Sequence, residues 1–272
     1  VQLGGIVAHE SAQAPELTAS VIIPVYNKED YLKDCFASLL EQTISRDALE
    51  VIFIDDGSSD GSLDILKGFV SEHPWAKIIA KENGGVSSAR NAGIKAARGK
   101  YLFFLDPDDS FGPETLENVS QFFDSCYEEV DLVTYPIIPM KNDKPQSMHF
   151  RYDILCDTGV YDLTSGQNVL VCQTTMNVCV KNRFADNILF DFKPENGVEI
   201  HEDEKYSTDI LLEKMKIGFC REAQYYWVKN SDSVTNNYMK PYYLYENTLG
   251  LFESYFNRYD DAVPRYLQAL LL

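Results

Sequence analysis

The feature that most restricts what this chain can fold into is an alternation. "SVIIPV", "EVIFID", "AKIIA" and "KYLFFLD" are short apolar runs rich in β-branched and aromatic residues, and the first three each lead into a stretch with helical spacing. "YLKDCFASLLEQT" puts Tyr31, Cys35 and Leu39 on one stripe and Leu32, Phe36 and Leu40 on the next, with Asn27 as the expected N-cap and Asp30 three residues on. "GSSDGSLDILKGFVSEH" and "GVSSARNAGIKAARG" repeat the turn and helix, the second closed by Gly99. Strands that are apolar almost throughout need cover on both faces, so the pattern predicts an α/β fold: a mostly parallel sheet flanked by helices.

Beyond Leu105 the alternation loosens. "PETLENVSQFFDSCYEEV" reads as a capped helix, "DLVTYPII" as one strand, "HFRYDI" as short strands, and "NVCVKNRF" as a strand and turn. "HEDEKYSTDILLEKMK" predicts a helix from near Glu202, followed by strands in "IGFCRE" and "AQYYWVKN". These strands are expected to extend the same sheet, at least one of them antiparallel. From about Met239 the chain is aromatic-rich helix. The expected organisation is a linker or tag remnant over 1–19, one α/β domain over 20–237, and a helical C-terminal extension over 238–272 leading into a further domain.

Charge narrows the partners. A net charge of -18 over 272 residues argues against nucleic acid, whose phosphates call for Lys and Arg. No apolar run reaches the length of a bilayer span, and no signal peptide opens the chain. The cysteines (Cys35, Cys126, Cys156, Cys172, Cys179, Cys220) stand singly, without zinc spacing, and read as reduced thiols of a cytosolic protein.

Acids gather where strands end. In doubly wound sheets ligands bind beyond the carboxyl ends of the strands. Asp55 and Asp56 follow the second strand; Asp106, Asp108 and Asp109 follow the fourth. The D-x-D spacing of Asp106 and Asp108 brings two hard oxygen ligands to one Mg²⁺ or Mn²⁺ that would clamp a diphosphate. The alternative is a turn at Pro107 with the aspartates capping the helix near Gly112 and Pro113. Asp56 offers a carboxylate to the imide N–H of a base such as uracil, the alternative being a helix cap, and Asp60 reads as a cap. Gly84 and Gly85 permit close backbone approach. Arg90, a turn into its helix, faces the same cleft, either as a ligand to base or phosphate or as an ion pair with an aspartate. The acids of "HEDEKY" suit catalysis or simply the first turn of a helix. Neither GxGxxG nor GxxxxGK[ST] occurs.

Together, "VIIPVYNKEDYLKDCFASLLEQT", "VIFIDDGSSDGS", "NGGVSSARNAGIKAARGKYLFFLDPDD" and "HEDEKY" resemble the nucleotide-sugar-dependent glycosyltransferases of family 2, in order from about Ser20 to about Thr235. The resemblance implies the GT-A fold and an inverting, metal-dependent transfer from a nucleotide-diphosphate sugar, most simply a UDP-sugar, to a glycan or polyol-phosphate polymer. It implies a donor site of Pro24, Val25, Tyr26, Asn27, Glu29, Asp56, Gly84, Arg90, Asp106, Pro107 and Asp108. It further implies Mn²⁺ or Mg²⁺ on Asp108, Asp106 and Asp109, and Asp203 as catalytic base helped by Glu202, with His201 as a neighbour. Lys229, Ser231 and Ser233 match a loop that closes over the donor. The chain also resembles multidomain cell-surface polymer transferases, of teichoic acids or capsules. That places it in the cytoplasm, at the inner membrane face through regions outside these residues.

Two other classes compete. A binding module with the same fold would have lost some of Asp56, Asp106, Asp108 and Asp203, and all are present. A nucleotidyltransferase would leave "HEDEKY" and "SSARNAG" without a role.

Overall fold

The computed structural model describes residues 17–141, 144–147, 157–162, 177–184, 188–190 and 202–228. Its first half follows the alternation: β1 (Ala19–Val25), α1 (Leu32–Leu40), β2 (Leu49–Asp55), α2 (Ser62–Glu72), β3 (Ala76–Ala80), α3 (Val86–Ala96) and β4 (Tyr101–Phe104). Every residue of β1, β2 and β4 is buried, which is why these strands show no polar alternation. β1 pairs in parallel with β2 on one side and β4 on the other, and β2 pairs in parallel with β3.

The remaining described elements are β5 (Ser110–Phe111), α4 (Thr115–Ser125), β6 (Leu132–Thr134), β7 (Ile137–Lys141), β8 (Lys144–Pro145), β9 (Gly159–Asp162), β10 (Val178–Lys181), α5 (Glu202–Lys214), β11 (Lys216–Phe219) and β12 (Tyr225–Val228). Among the described residues the main sheet runs β3-β2-β1-β4-β10-β6-β11-β9. β10 is antiparallel to both β4 and β6, as the sequence led us to expect of at least one strand, while β11 is parallel to β6.

The second half departs from expectation in two ways. "DLVTYPII" is two strands: β6 belongs to the main sheet, and the chain leaves it at Tyr135 and Pro136 to form β7 of a second sheet ordered β5-β12-β7-β8. Proline cannot donate to a ladder, so Pro136 ends the pairing, while its carbonyl accepts from the Tyr225 amide at 2.9 Å. β12 therefore does not extend the main sheet; it pairs with β5 and β7. "HFRYDI" and residues 229–272, with the expected helical extension, lie outside the described residues, as do 1–16 of the expected linker.

Two expected caps are also corrected. Asn27 does not cap α1, which starts at Leu32 behind Tyr31 with no side-chain cap bond. Asn27 instead adopts a left-handed backbone (φ 51°) that bends the chain out of β1. Gly99 does not close α3, which ends at Ala96. Its own requirement is contact: a Cβ there would lie 2.6 Å from the backbone of Ala19 and Ser20.

The amino ends of the strands, opposite the acid-bearing ends, are tied by one buried carboxylate. Glu50 accepts from Ser20 Oγ at 2.6 Å, from the Arg98 amide at 2.5 Å and from Lys77 Nζ at 3.0 Å, joining β1, β2, β3 and the α3–β4 link. Burial alone would raise the Glu50 pKa; these donors outweigh it and hold it below the usual glutamate value. A depressed pKa stabilises the fold above the unfolded value, about 4.3, and the stabilisation is lost as pH falls through the lower folded value. Glu50→Gln should therefore cost about 1–3 kcal/mol at pH 7, and its chemical-denaturation curve should approach wild type progressively as pH falls below the unfolded value.

Candidate active site

β1 and β4 are neighbours, and the order β3-β2-β1-β4 reverses direction there, leaving a crevice at their carboxyl ends. Pro24 stands at its edge. The β1–β4 ladder ends at Ile22 and Phe104, with the Leu105 amide bonded to the Ile22 carbonyl, so the missing proline N–H falls on the side where pairing has finished. The Val25 carbonyl still accepts from the Asp56 amide at 2.8 Å.

The loop after β1 is laced to the loop after β2. The Asn27 amide donates to Ser58 Oγ at 3.1 Å, and Asn27 Oδ1 accepts from the Ser59 amide at 2.8 Å. Glu29 Oε2 accepts from the Gly61 amide at 2.6 Å, and the Glu29 amide donates to Asp60 Oδ2 at 3.2 Å. Asp60 also caps the start of α2 through the Ser62 amide. Between these bonds Tyr26 projects, about half exposed.

Asp56 is buried at the amino end of α3. Its carboxylate accepts from the amides of Gly84 and Gly85, at 2.9 Å for Gly85, and pairs with Lys81. Gly85 holds φ at 86°, a left-handed conformation that turns these amides onto the acid and opens the helix.

Asp106 to Asp109 form a turn closed by the Asp109 amide on the Asp106 carbonyl at 3.0 Å, with Pro107 in its second position. The alternative reading is half met: Pro107 does make a turn, but its aspartates do not cap the following helix, because β5 intervenes and α4 starts behind Glu114 with no side-chain cap bond. Each acid has a separate partner. Asp108 Oδ2 accepts from Lys28 Nζ at 2.8 Å, and Asp106 Oδ1 from Arg90 at 3.1 Å. Asp109 is buried against the second sheet, accepting from Tyr225 Oη at 2.7 Å and from the Val228 amide at 2.8 Å. Burial, with Asp106 and Asp108 close by, pushes the Asp109 pKa well above the usual aspartate value. In this geometry Asp109 is the strut that seats β12 beneath the turn, and Tyr225 Oη also accepts from the Asp106 amide at 3.2 Å.

Arg90 joins the turn to α5. It is 5% exposed, and its two terminal nitrogens reach Asp106 Oδ1 at 3.1 Å and Glu202 Oε1 at 2.8 Å. Burial would lower its pKa, but Asp106, Glu202 and Asp203 more than offset that and raise it. The guanidinium lies 5.4 Å over the Phe190 ring, which stacks on Tyr206 of α5 at 4.1 Å. Asn91 fixes the Phe190 backbone with two bonds of 2.8 Å. α3 thus holds the acid-bearing start of α5 against the β4 loop, with Asp203 partly exposed beside buried Glu202.

Residues 20–185, more than half of the chain, match the model of glycosyl transferase family 2. The chain belongs to that family. It is 37% identical over 216 residues to the minor teichoic acid biosynthesis protein GgaB of Bacillus subtilis (strain 168), covering 78% of the chain. The chain spans only 23% of that relative's length. Among solved structures it resembles S. aureus TarS 1-349 in complex with UDP-GlcNAc (TM-score 0.74, 23% identity, 93% of this chain and 72% of that one). It also resembles the mannosyltransferase PcManGT from Pyrobaculum calidifontis in complex with GDP-Man and Mn²⁺ (TM-score 0.67, 17% identity, 93% and 68%). These two likenesses establish the GT-A fold.

At this end of the sheet the fold gathers Pro24, Tyr26, Asn27, Glu29, Asp56, Gly84, Arg90, Asp106, Asp108, Glu202 and Asp203 from five segments. His201, Lys229, Ser231 and Ser233 lie outside the described residues. Sequence reasoning gives no role to Lys28, Lys81, Asn91, Phe190 or Tyr225; Lys28 and Asn91 lie inside the quoted motifs and Lys81 beside one, which is the signal that could have found them, while Phe190 and Tyr225 carry none. Among the described residues no group of three or more His, Cys, Asp or Glu side chains is placed to cage a metal. Asp106 and Asp108 nonetheless offer the hard oxygens that Mg²⁺ and Mn²⁺ prefer, and each already draws a cationic side chain. The pair suits an ion whose coordination is completed by substrate oxygens. Tyr225→Phe removes the hydroxyl shared by Asp106 and Asp109 and should lower stability by about 1–3 kcal/mol in denaturant titrations.

Proposed function

We propose that this domain is an inverting glycosyltransferase that moves a sugar from a nucleotide diphosphate, most simply UDP, to a hydroxyl of a glycan or polyol-phosphate polymer. The observation that carries this reading is the Arg90 bridge, which joins the aspartate turn after β4 to the acidic start of α5 in one crevice. The UDP-GlcNAc held by TarS and the name of GgaB support the donor and the polymer class. A role in cell-surface polymer synthesis at the cytoplasmic membrane face belongs to the same proposal.

In the proposed site Pro24, Tyr26 and Asn27 wall the nucleoside on the β1 side, with buried Val25 supporting them from the core. Asp56 faces the base, and Glu29 and Gly84 hold the loops that frame it. Asp106 and Asp108, with Pro107 shaping their turn, hold Mg²⁺ or Mn²⁺, and Asp109 supports them from below. When bound, such an ion neutralises charge on the diphosphate leaving group. Asp203 accepts the proton of the acceptor hydroxyl as its oxygen bonds to the anomeric carbon and the bond from that carbon to the diphosphate oxygen breaks, releasing UDP. Glu202, paired with Arg90, keeps the start of α5 in place while Asp203 remains accessible.

Asp203→Asn should lower turnover by about 10²–10⁴-fold while UDP binding in a thermal shift persists. Asp108→Asn should abolish the metal-dependent part of that shift, which for wild type at a hundred times the dissociation constant amounts to about 2.7 kcal/mol. A nucleotide shift with no UDP-sugar turnover under any acceptor would favour a binding module instead.

A further inference from the structure

Two cationic side chains stand on the aspartate turn, and they differ in kind. Arg90 is buried, shared between two carboxylates and packed over Phe190, so it cannot leave without breaking the link between α3 and α5. Lys28 comes from the loop after β1. Its backbone is fixed by the Ser62 hydroxyl at 2.8 Å, but its ammonium rides on a flexible stem that remains a quarter exposed. That ammonium sits 2.8 Å from Asp108 Oδ2, with Asp106 near enough to act on its charge and the Tyr31 ring 5.0 Å away. The lysine thus occupies one oxygen of the acid that the metal reading most requires.

We propose that Lys28 is a resident, displaceable cation that holds Asp108 in place of a divalent ion, so that metal loading depends on the nucleotide. The proposal rests on the metal reading of Asp106 and Asp108. An ion approaching Asp108 alone meets a like charge and must displace an existing ion pair. A nucleotide diphosphate arriving with it brings new anionic oxygens for the displaced ammonium. Metal and nucleotide therefore bind with positive coupling, and by linkage each raises the affinity of the other by the same factor. Lys28 is a positioning residue in this account: it orders the turn when the crevice is empty and turns to the diphosphate when it is filled.

The test is Mn²⁺ binding itself, followed by the electron-spin-resonance signal of the free ion, with and without UDP, on the whole chain. Lys28→Met should bind Mn²⁺ in the absence of nucleotide about tenfold more tightly than wild type, a change of about 1.4 kcal/mol, and should lose most of the enhancement that UDP confers. Lys33→Met removes the same charge from an exposed position on α1 and should leave both quantities unchanged. Lys28→Gln replaces Lys28→Met should the latter fail to fold. Equal or weaker Mn²⁺ affinity in the Lys28 variant, or an equal gain in Lys33→Met, overturns the role of Lys28 while leaving the metal reading intact. Failure of wild type to bind Mn²⁺ even with UDP present overturns the metal reading and this proposal with it.

Discussion

The arrangement of the crevice depends on one buried guanidinium. Arg90 is held by α3 and spends its two terminal nitrogens on acids 96 residues apart, Asp106 after β4 and Glu202 at the start of α5. Taking an arginine out of water is costly, and the site meets that cost with the nearby carboxylates of Asp106, Glu202 and Asp203. Removing one partner would leave uncompensated charge. The bridge is therefore a constraint on both loops at once, and the Phe190–Tyr206 stack beside it keeps the plane of contact apolar.

The rest of the molecule serves that geometry from two directions. At the far end of the sheet Glu50 locks the starts of β1, β2 and β3 to the α3–β4 link, and at the crevice end β4 stops opposite Ile22, three residues before β1 ends, which leaves room for the aspartate turn. Beneath the crevice, the small second sheet presses β12 against the aspartate turn through Asp109 and Tyr225. The three aspartates after β4 consequently have distinct surroundings: one on arginine, one on lysine and one buried on a tyrosine. Four adjacent positions in sequence become three chemically different carboxylates.

The first half of the fold and the ends where ligands belong were legible because hydrophobic periodicity and strand-end acids are local signals. β1 to β4 and α1 to α3 stand where their spacing placed them. Asn27 misled because a left-handed loop and a helix cap favour the same residue, and only the Ser58 and Ser59 contacts distinguish them. "DLVTYPII" misled because its apolar run continues past Pro136 although its pairing does not. The individual roles of the acids were not legible, since they depend on distant partners: Lys28 lies 80 residues from Asp108, and Tyr225 lies 116 from Asp109. Arg90 was placed in the acidic cleft from its position in the helix, but its choice of partners required the tertiary fold.

The central claim is that Arg90 couples the aspartate turn to the acidic helix, and a double-mutant cycle measures that coupling directly. Arg90→Met, Glu202→Gln and the double variant would be compared with wild type for unfolding free energy in denaturant and for UDP-sugar turnover. The account predicts that the two substitutions are strongly non-additive, with a coupling of at least about 1 kcal/mol in stability and a corresponding non-additivity in turnover. Effects that add to within about 0.5 kcal/mol would contradict it, because the two residues would then act independently.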